Sequence, residues 1–303
     1  MPKVSVLMNC YNGEAYLKEA IDSIYAQTFQ DFEIIFWDNC STDGSLDITL
    51  NYDSRLRYFR GEKNVPLYAA RNLALAKTEG EIIAILDVDD IWMPTKLERQ
   101  LPLFDNPKVG LVYSDTYFLK DGKIIGQFFK NRSPKRGNVF NQLFTSNYFL
   151  SLETVMFRKK VLEEWSYAFD DRFNHIGDAD LFRRIALNWE VDFINRPLAY
   201  WRVHAKSLSW AHAHGFYKET KKLIDVYLEI IPDFATKYKR AHYLLKKEAA
   251  IGEAKEYMAK GQGPKATSLL LPYFPSIKPM ILAMMGLAPT IVSKKILESR
   301  SLV

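Results

Sequence analysis

Three carboxylates in four residues, Asp87, Asp89 and Asp90, follow directly on the apolar run Ile82-Ile83-Ala84-Ile85-Leu86. Neighbouring carboxylates repel and raise one another's pKa. Such a cluster persists at low cost where a cation, or the hydroxyl and amide donors of a substrate, meets it. Hard oxygen donors of this kind suit Mg2+ or Mn2+. Two further polar clusters also follow apolar runs: Asn9-Cys10-Tyr11-Asn12-Gly13, and Asp38-Asn39-Cys40-Ser41-Thr42-Asp43-Gly44-Ser45. A second acidic stretch, Gly177-Asp178-Ala179-Asp180, and a lone His204 lie far downstream. Structural roles compete at several positions. Asp90 can cap the helix that Pro94 opens, Asp43 the helix starting near Gly44, and Asp178 the helix running to Asn188. Asp180 with Arg183 reads as a helix-surface pair.

The elements that must position these groups can be read from periodicity. The run before Asp87 shows no polar alternation and predicts a strand buried on both faces, as in the middle of a parallel sheet. Further strands are expected at 3–8, 32–37 and 56–59. Helices are expected over 14–27, from Ser45 to about Tyr52, and over 67–77, the last closed by Gly80 in the left-handed region. Strand and helix therefore alternate with short connections, which predicts a doubly wound α/β sheet. Ligands of such sheets sit beyond the carboxyl ends of the strands, where all three polar clusters fall. No Gly-x-Gly-x-x-Gly and no Gly-Lys-Ser/Thr loop occurs, so neither a dinucleotide fold nor a P-loop enzyme is signalled.

Beyond this half, a strand is expected at 109–114 and a hairpin turned at Asp121-Gly122. Residues 126–153 read as irregular, a loop that either shapes an acceptor pocket or carries Arg132, Lys135 and Arg136 as solvated charges, the second being favoured. Short strands at 191–194 and 199–202 follow the helix from Asp178. From Gly215 the pattern is helical, over 217–231 and 234–260, broken by Pro232 and by Gly261-Gln262-Gly263-Pro264.

The net charge of +5 is unevenly spread: residues 1–204 carry 25 Lys and Arg against 28 Asp and Glu, and residues 205–303 carry 16 against 8. A basic tail suits nucleic acid or an anionic membrane surface, and the lack of a nucleic-acid motif favours the membrane. The apolar stretch at 279–293, flanked by Lys278 and Lys294-Lys295, is too short and interrupted to span a bilayer. It predicts a segment lying on the membrane surface, or a helix packed on protein or in a homodimer. Two cysteines, Cys10 and Cys40, provide no disulfide framework, and the chain starts directly with a strand. Together these predict a cytoplasmic protein, peripheral on the inner face of the plasma membrane.

Pro2-Lys3-Val4-Ser5-Val6 with Tyr11-Asn12, residues 38–45, Ala70-Arg71-Asn72-Leu73-Ala74, Lys77-Thr78-Glu79-Gly80-Glu81 and Leu86-Asp87-Val88-Asp89-Asp90 together resemble the family 2 glycosyltransferases of bacterial cell-surface glycan biosynthesis. The resemblance covers residues 2–115 and resumes at 177–181 and 202–209. It implies a GT-A fold: a mixed, mainly parallel, Rossmann-like sheet flanked by helices. The catalytic domain would span 1–212, with its donor half at 1–115 and its acceptor half at 116–212. A helical basic extension would fill 213–303.

By the same resemblance, the chain would move a sugar from a nucleotide diphosphate donor to a glycan or lipid-linked glycan, with inversion. Asn9, Tyr11, Asp38, Asn39 and Arg71 would form the nucleotide end of the crevice, Tyr11 offering its ring to the base. Asp87 would hold the ribose, Asp89 would bind Mg2+ or Mn2+, and His204 would complete the metal shell or contact the diphosphate. Asp178 would be the catalytic base. The family commonly has two acids where Asp38-Asn39 stands and a Glu where Gly177 stands. Uracil is the favoured base. The alternatives are a nucleotidyltransferase, for which residues 9–13 show no Gly-rich basic loop, and an inactive nucleotide-sugar- or glycan-binding relative.

Overall fold

The computed structural model describes residues 1–145, 148–205 and 216–274, together with 276, 279–281 and 284. The chain divides into two compact units, Met1–Ser207 and Leu208–Val303. In the first, β1 (Val4–Cys10), α1 (Glu14–Tyr25), β2 (Phe32–Asp38), α2 (Ser45–Thr49), β3 (Leu56–Arg60), α3 (Leu67–Leu75) and β4 (Ile82–Ile85) alternate along the chain. The four strands pair in parallel in the order β3-β2-β1-β4. Every residue of β2 and β4 is buried, as expected of strands covered on both faces. On one face Val4, Val6 and Met8 share a core with Leu17, Ala20, Ile21 and Ile24 of α1. On the other, buried Glu33 accepts hydrogen bonds from Ser5 Oγ at 2.6 Å and from the Glu79 amide at 2.6 Å, and pairs with Arg57 at 2.7 Å.

The sheet continues through β5 (Ile91–Trp92), α4 (Lys96–Gln100), β6 (Val109–Lys120), β7 (Lys123–Gln127), β8 (Met156–Arg158), α5 (Gly177–Asn188) and β9 (Glu190–Arg202). The full order is β3-β2-β1-β4-β8-β6-β9-β5, with β7 on β6. β8 runs antiparallel between β4 and β6, while β6 and β9 run parallel to each other. The carboxyl ends of β1–β4, β6 and β9 thus lie along one edge of the sheet. The hairpin between β6 and β7 turns at Asp121 (φ 48°) and Gly122 (φ 73°), both left-handed, as the Asp-Gly pair predicts.

Several expectations are corrected. The two short strands at 191–194 and 199–202 are one strand, because β6 shifts register on either side of Asp115 and so accommodates Pro197 opposite it. Gly80 is not a left-handed helix cap. A side chain there would meet the Ser5 backbone nitrogen at 2.6 Å, so glycine lets the turn pass against β1. Arg132 is not a solvated charge: it is half-buried, 4.1 Å from the Phe128 ring, and donates to the Tyr148 carbonyl at 3.0 Å. Lys135 and Arg136 are exposed.

In the second unit, α6 (Phe216–Ile230), α7 (Phe234–Lys237), α8 (Lys239–Ala259) and α9 (Gly263–Leu270) follow in order. The helix expected over 234–260 is split at Tyr238. At Gly252 a side chain would meet Tyr217 Cβ at 2.2 Å, so glycine sets the close approach of α6 and α8. Most of the apolar stretch 279–293 lies outside the described residues. No helix among them is long and apolar enough to cross a membrane.

Candidate active site

The first two polar clusters interlock at the strand ends. Asn12 Oδ1 accepts from the Thr42 amide at 2.8 Å, and Ser41 Oγ accepts from the Asn12 amide at 3.0 Å. Asp43 accepts from the Glu14 amide at 3.0 Å, while Glu14 accepts from the Gly44 amide at 2.9 Å. Asp43 also accepts from the Ser45 amide at 3.1 Å, so it serves the starts of both α1 and α2, although the N-cap of α2 is Gly44. Asn12 (φ 54°) and Cys40 (φ 67°) hold left-handed backbone in these loops, a conformation that non-glycine residues adopt mainly where the surroundings enforce it.

Tyr11 is 58% exposed. The side-chain amide of Asn9 is shielded from solvent, yet neither of its polar atoms has a partner among the described residues. Buried polar groups are normally paired, so this amide is placed to meet a ligand or water. Asp38 and Asn39 are buried and already engaged. The Asp38 carboxylate accepts from Tyr58 at 2.6 Å, Arg60 at 2.7 Å and the Ser41 amide at 2.7 Å. The Asn39 side chain clasps the backbone of Val65, donating at 2.7 Å and accepting at 3.2 Å. Neither residue leaves a side-chain group unpaired.

The three carboxylates of the β4–β5 turn separate. Asp87 accepts from Arg71 Nη2 at 2.6 Å; Arg71, on α3, is 2% exposed, and its Nε has no partner. Asp89 Oδ2 lies 2.9 Å from His204 Nε2. Burial and the neighbouring Asp87 raise the Asp89 carboxyl, while His204 opposes them. Asp90 does not cap the following helix. It is buried and accepts from the Arg202 amide at 2.8 Å, which fastens the turn to β9. Arg202 strengthens the same junction by donating Nε to the Asp89 carbonyl at 2.8 Å and pairing with Glu19 at 2.5 Å. Burial, then Asp89 and Glu153, push the Asp90 carboxyl well above its ordinary value.

Asp178 sits in the first turn of α5, and its Oδ1 accepts from the Ala179 amide at 2.8 Å and from the Tyr68 hydroxyl at 3.2 Å. Burial raises this carboxyl; Arg71, the Ala179 amide and Tyr68 partly offset it. Asp180 is not a surface partner of Arg183. It is buried against Arg184, whose Nη2 donates to it at 2.7 Å, because the fourth residue on falls on its own inward face. Arg183 instead lies 5.1 Å from the Phe144 ring.

The structure thus joins Arg71 to Asp87 and Asp89 to His204. It also brings Asp178 to α3 through Tyr68. Tyr68 and Arg202 were not singled out by sequence reasoning. Tyr68 lies one helical turn before Arg71, which was a local signal, whereas the partners of both lie more than 100 residues away in sequence.

Residues 5–166 match the family described as Glycosyl transferase family 2. The chain is similar to the UDP-Glc:alpha-D-GlcNAc-diphosphoundecaprenol beta-1,3-glucosyltransferase WfaP of Escherichia coli, 30% identical over 69% of this chain and 80% of that protein. Among solved structures it resembles S. aureus TarS 1–349 in complex with UDP-GlcNAc, with a TM-score of 0.69 at 20% identity over 94% of this chain and 90% of that one. It also resembles the mannosyltransferase PcManGT of Pyrobaculum calidifontis in complex with GDP-Man and Mn2+, with a TM-score of 0.60 at 18% identity over 94% of this chain and 79% of that one. The fold is GT-A, and the chain belongs to glycosyl transferase family 2.

Proposed function

We propose that the protein is an inverting, divalent-metal-dependent glycosyltransferase that uses a UDP-sugar and a lipid-linked glycan acceptor. The observation that carries this reading is the convergence of three groups on one sheet edge: the Asp89–His204 pair, the Arg71–Asp87 pair, and Asp178 at the start of α5. The Asp89 carboxylate suits Mn2+ or Mg2+, and the repulsion between Asp87 and Asp89 favours a cation there. Among the described residues no group of three or more His, Cys, Asp or Glu side chains could hold an ion alone. The donor's diphosphate and water would therefore complete the shell. When bound, the ion would neutralise charge on the departing diphosphate.

The other roles belong to this chain's own residues. Asn9, with its unpartnered amide, and the exposed Tyr11 ring receive the base, while Asp38 and Asn39 hold the wall of that end. Asp87, steadied by Arg71, binds the ribose. Asp178 takes the proton from the acceptor hydroxyl as it attacks the anomeric carbon opposite the diphosphate, and its raised pKa strengthens it as a base. Residues 1–115 handle the donor and 116–212 the acceptor. WfaP supports the lipid-linked acceptor by its name, TarS supports UDP, and PcManGT supports Mn2+. The basic residues after 204 support peripheral contact with an anionic membrane face.

A donor screen by thermal shift across UDP-, GDP- and dTDP-sugars, with and without Mn2+, tests this. The expected result is stabilisation by a UDP-sugar that requires Mn2+ and is lost in Asp89→Ala. Equal stabilisation without the ion, or an Asp89→Ala variant that keeps metal-dependent transfer, would overturn the metal assignment.

A further inference from the structure

Position 177 raises a question that the proposed chemistry leaves open: where the family commonly has a carboxylate beside the base, this chain has no side chain at all. Gly177 is not in the left-handed region, so its backbone does not require glycine. A side chain would instead meet Cδ2 and Cε2 of the Tyr68 ring at 2.7 Å. The ring occupies that space, and its hydroxyl reaches Asp178 Oδ1 at 3.2 Å. Tyr68 is 2% exposed and stacks on Phe169 at 5.7 Å and 19°. Asn72, on the same helix, clasps Phe169 from both sides, accepting from its amide at 2.9 Å and donating to its carbonyl at 2.7 Å. The hydroxyl is thus fixed by α3 and by the loop that leads to α5.

We infer that Tyr68 is the positioning residue for the acceptor-activating carboxylate: its hydroxyl fixes the Asp178 carboxylate from α3, and Gly177 is bare so that the ring can do so. The inference rests on the assignment of Asp178 as the base. Among the described residues the donors to Asp178 are the Ala179 amide and the Tyr68 hydroxyl, and both meet Oδ1. That leaves Oδ2 to take the acceptor's proton. The charged or titratable groups facing this carboxyl are Tyr68 and Arg71 from α3, Asp87 from the end of β4, and Tyr148 from the segment before β8. Burial and Asp178 hold the Tyr68 hydroxyl well above its ordinary pKa, so it remains a donor throughout the working range. A donor to the ionised form lowers a carboxyl's pKa. Removing it therefore raises Asp178 further and moves the acid limb of the kcat profile to higher pH.

The test uses the full chain and Tyr68→Phe, which keeps the ring and removes the hydroxyl. The Asp178 carboxyl is titrated by carbon-13 NMR, its signal assigned by loss in Asp178→Asn. Transfer kinetics are measured with the UDP-sugar selected by the donor screen. Losing a hydrogen bond to a charged group is expected to raise the Asp178 titration midpoint by about one pH unit and to lower kcat roughly ten-fold. The donor KM and the melting temperature should stay near wild type. Gly177→Ala, which pushes the ring away, should produce the same shift and serves if Tyr68→Phe does not fold. An unchanged Asp178 midpoint in these variants, or a shifted midpoint with unchanged kcat, overturns the inference. Wild-type transfer by Asp178→Asn overturns the base assignment instead.

Discussion

Asp178 and Asp180 stand two residues apart on one helix and do different work. Asp180 is sealed against Arg184, which lies 5.2 Å from the Trp165 ring and donates to the Tyr167 carbonyl at 3.2 Å. Removing one member of a buried ion pair leaves the other charge uncompensated, so Arg184→Met should cost about 3–5 kcal/mol in denaturant unfolding. Asp178→Asn should instead melt near wild type and bind donor, with transfer lowered by about 10²- to 10⁴-fold, the usual contribution of a general base. The pattern of acidic residues in the sequence made both visible. It gave Asp180 a surface role beside Arg183 and missed its burial against Arg184, because that rests on which helical face turns inward.

At the scale of elements, α4 begins with a buried lysine whose ammonium has no acceptor among the described residues. Lys96 is fully buried 4.4 Å from the Trp92 ring, and burial pulls its pKa down to about 7. Nearby Glu153, also buried, is pushed up to about 7 by its own burial. The linkage for Lys96 runs in one direction: its penalty is complete below pH of about 7 and vanishes as pH rises towards the ordinary value of 10.5. Lys96→Met should therefore stabilise the protein by about 1–4 kcal/mol at or below neutral pH, with the gain fading in alkali. Thermal melts of both proteins across pH 6–10 check this, roughly spanning that window. A constant difference would show that the ammonium is not the cause. The strands and helices of the first half were legible because their apolar spacing is local. The junction of the β4–β5 turn with β9 was not, since Asp90 and Arg202 are 112 residues apart in sequence.

At the scale of the whole molecule, the site residues from Asn9 to His204 all fall within the compact unit Met1–Ser207. That unit holds the complete nine-stranded sheet. A chain ending at residue 207 should therefore fold and keep Mn2+-dependent stabilisation by the donor, measured by thermal shift. Loss of donor binding in a folded truncation would place part of the donor site in residues 208–303. The sequence by itself determined the alternation of strand and helix, the gathering of polar clusters at strand ends and the family, because each is written in short-range pattern. The tertiary structure alone decided which acid meets which partner. It joined Arg71 to Asp87, tied Asp90 to β9, buried Asp180 and laid Tyr68 over Gly177. Those pairings depend on register and crossover between segments distant in the chain, and local periodicity carries no information about either.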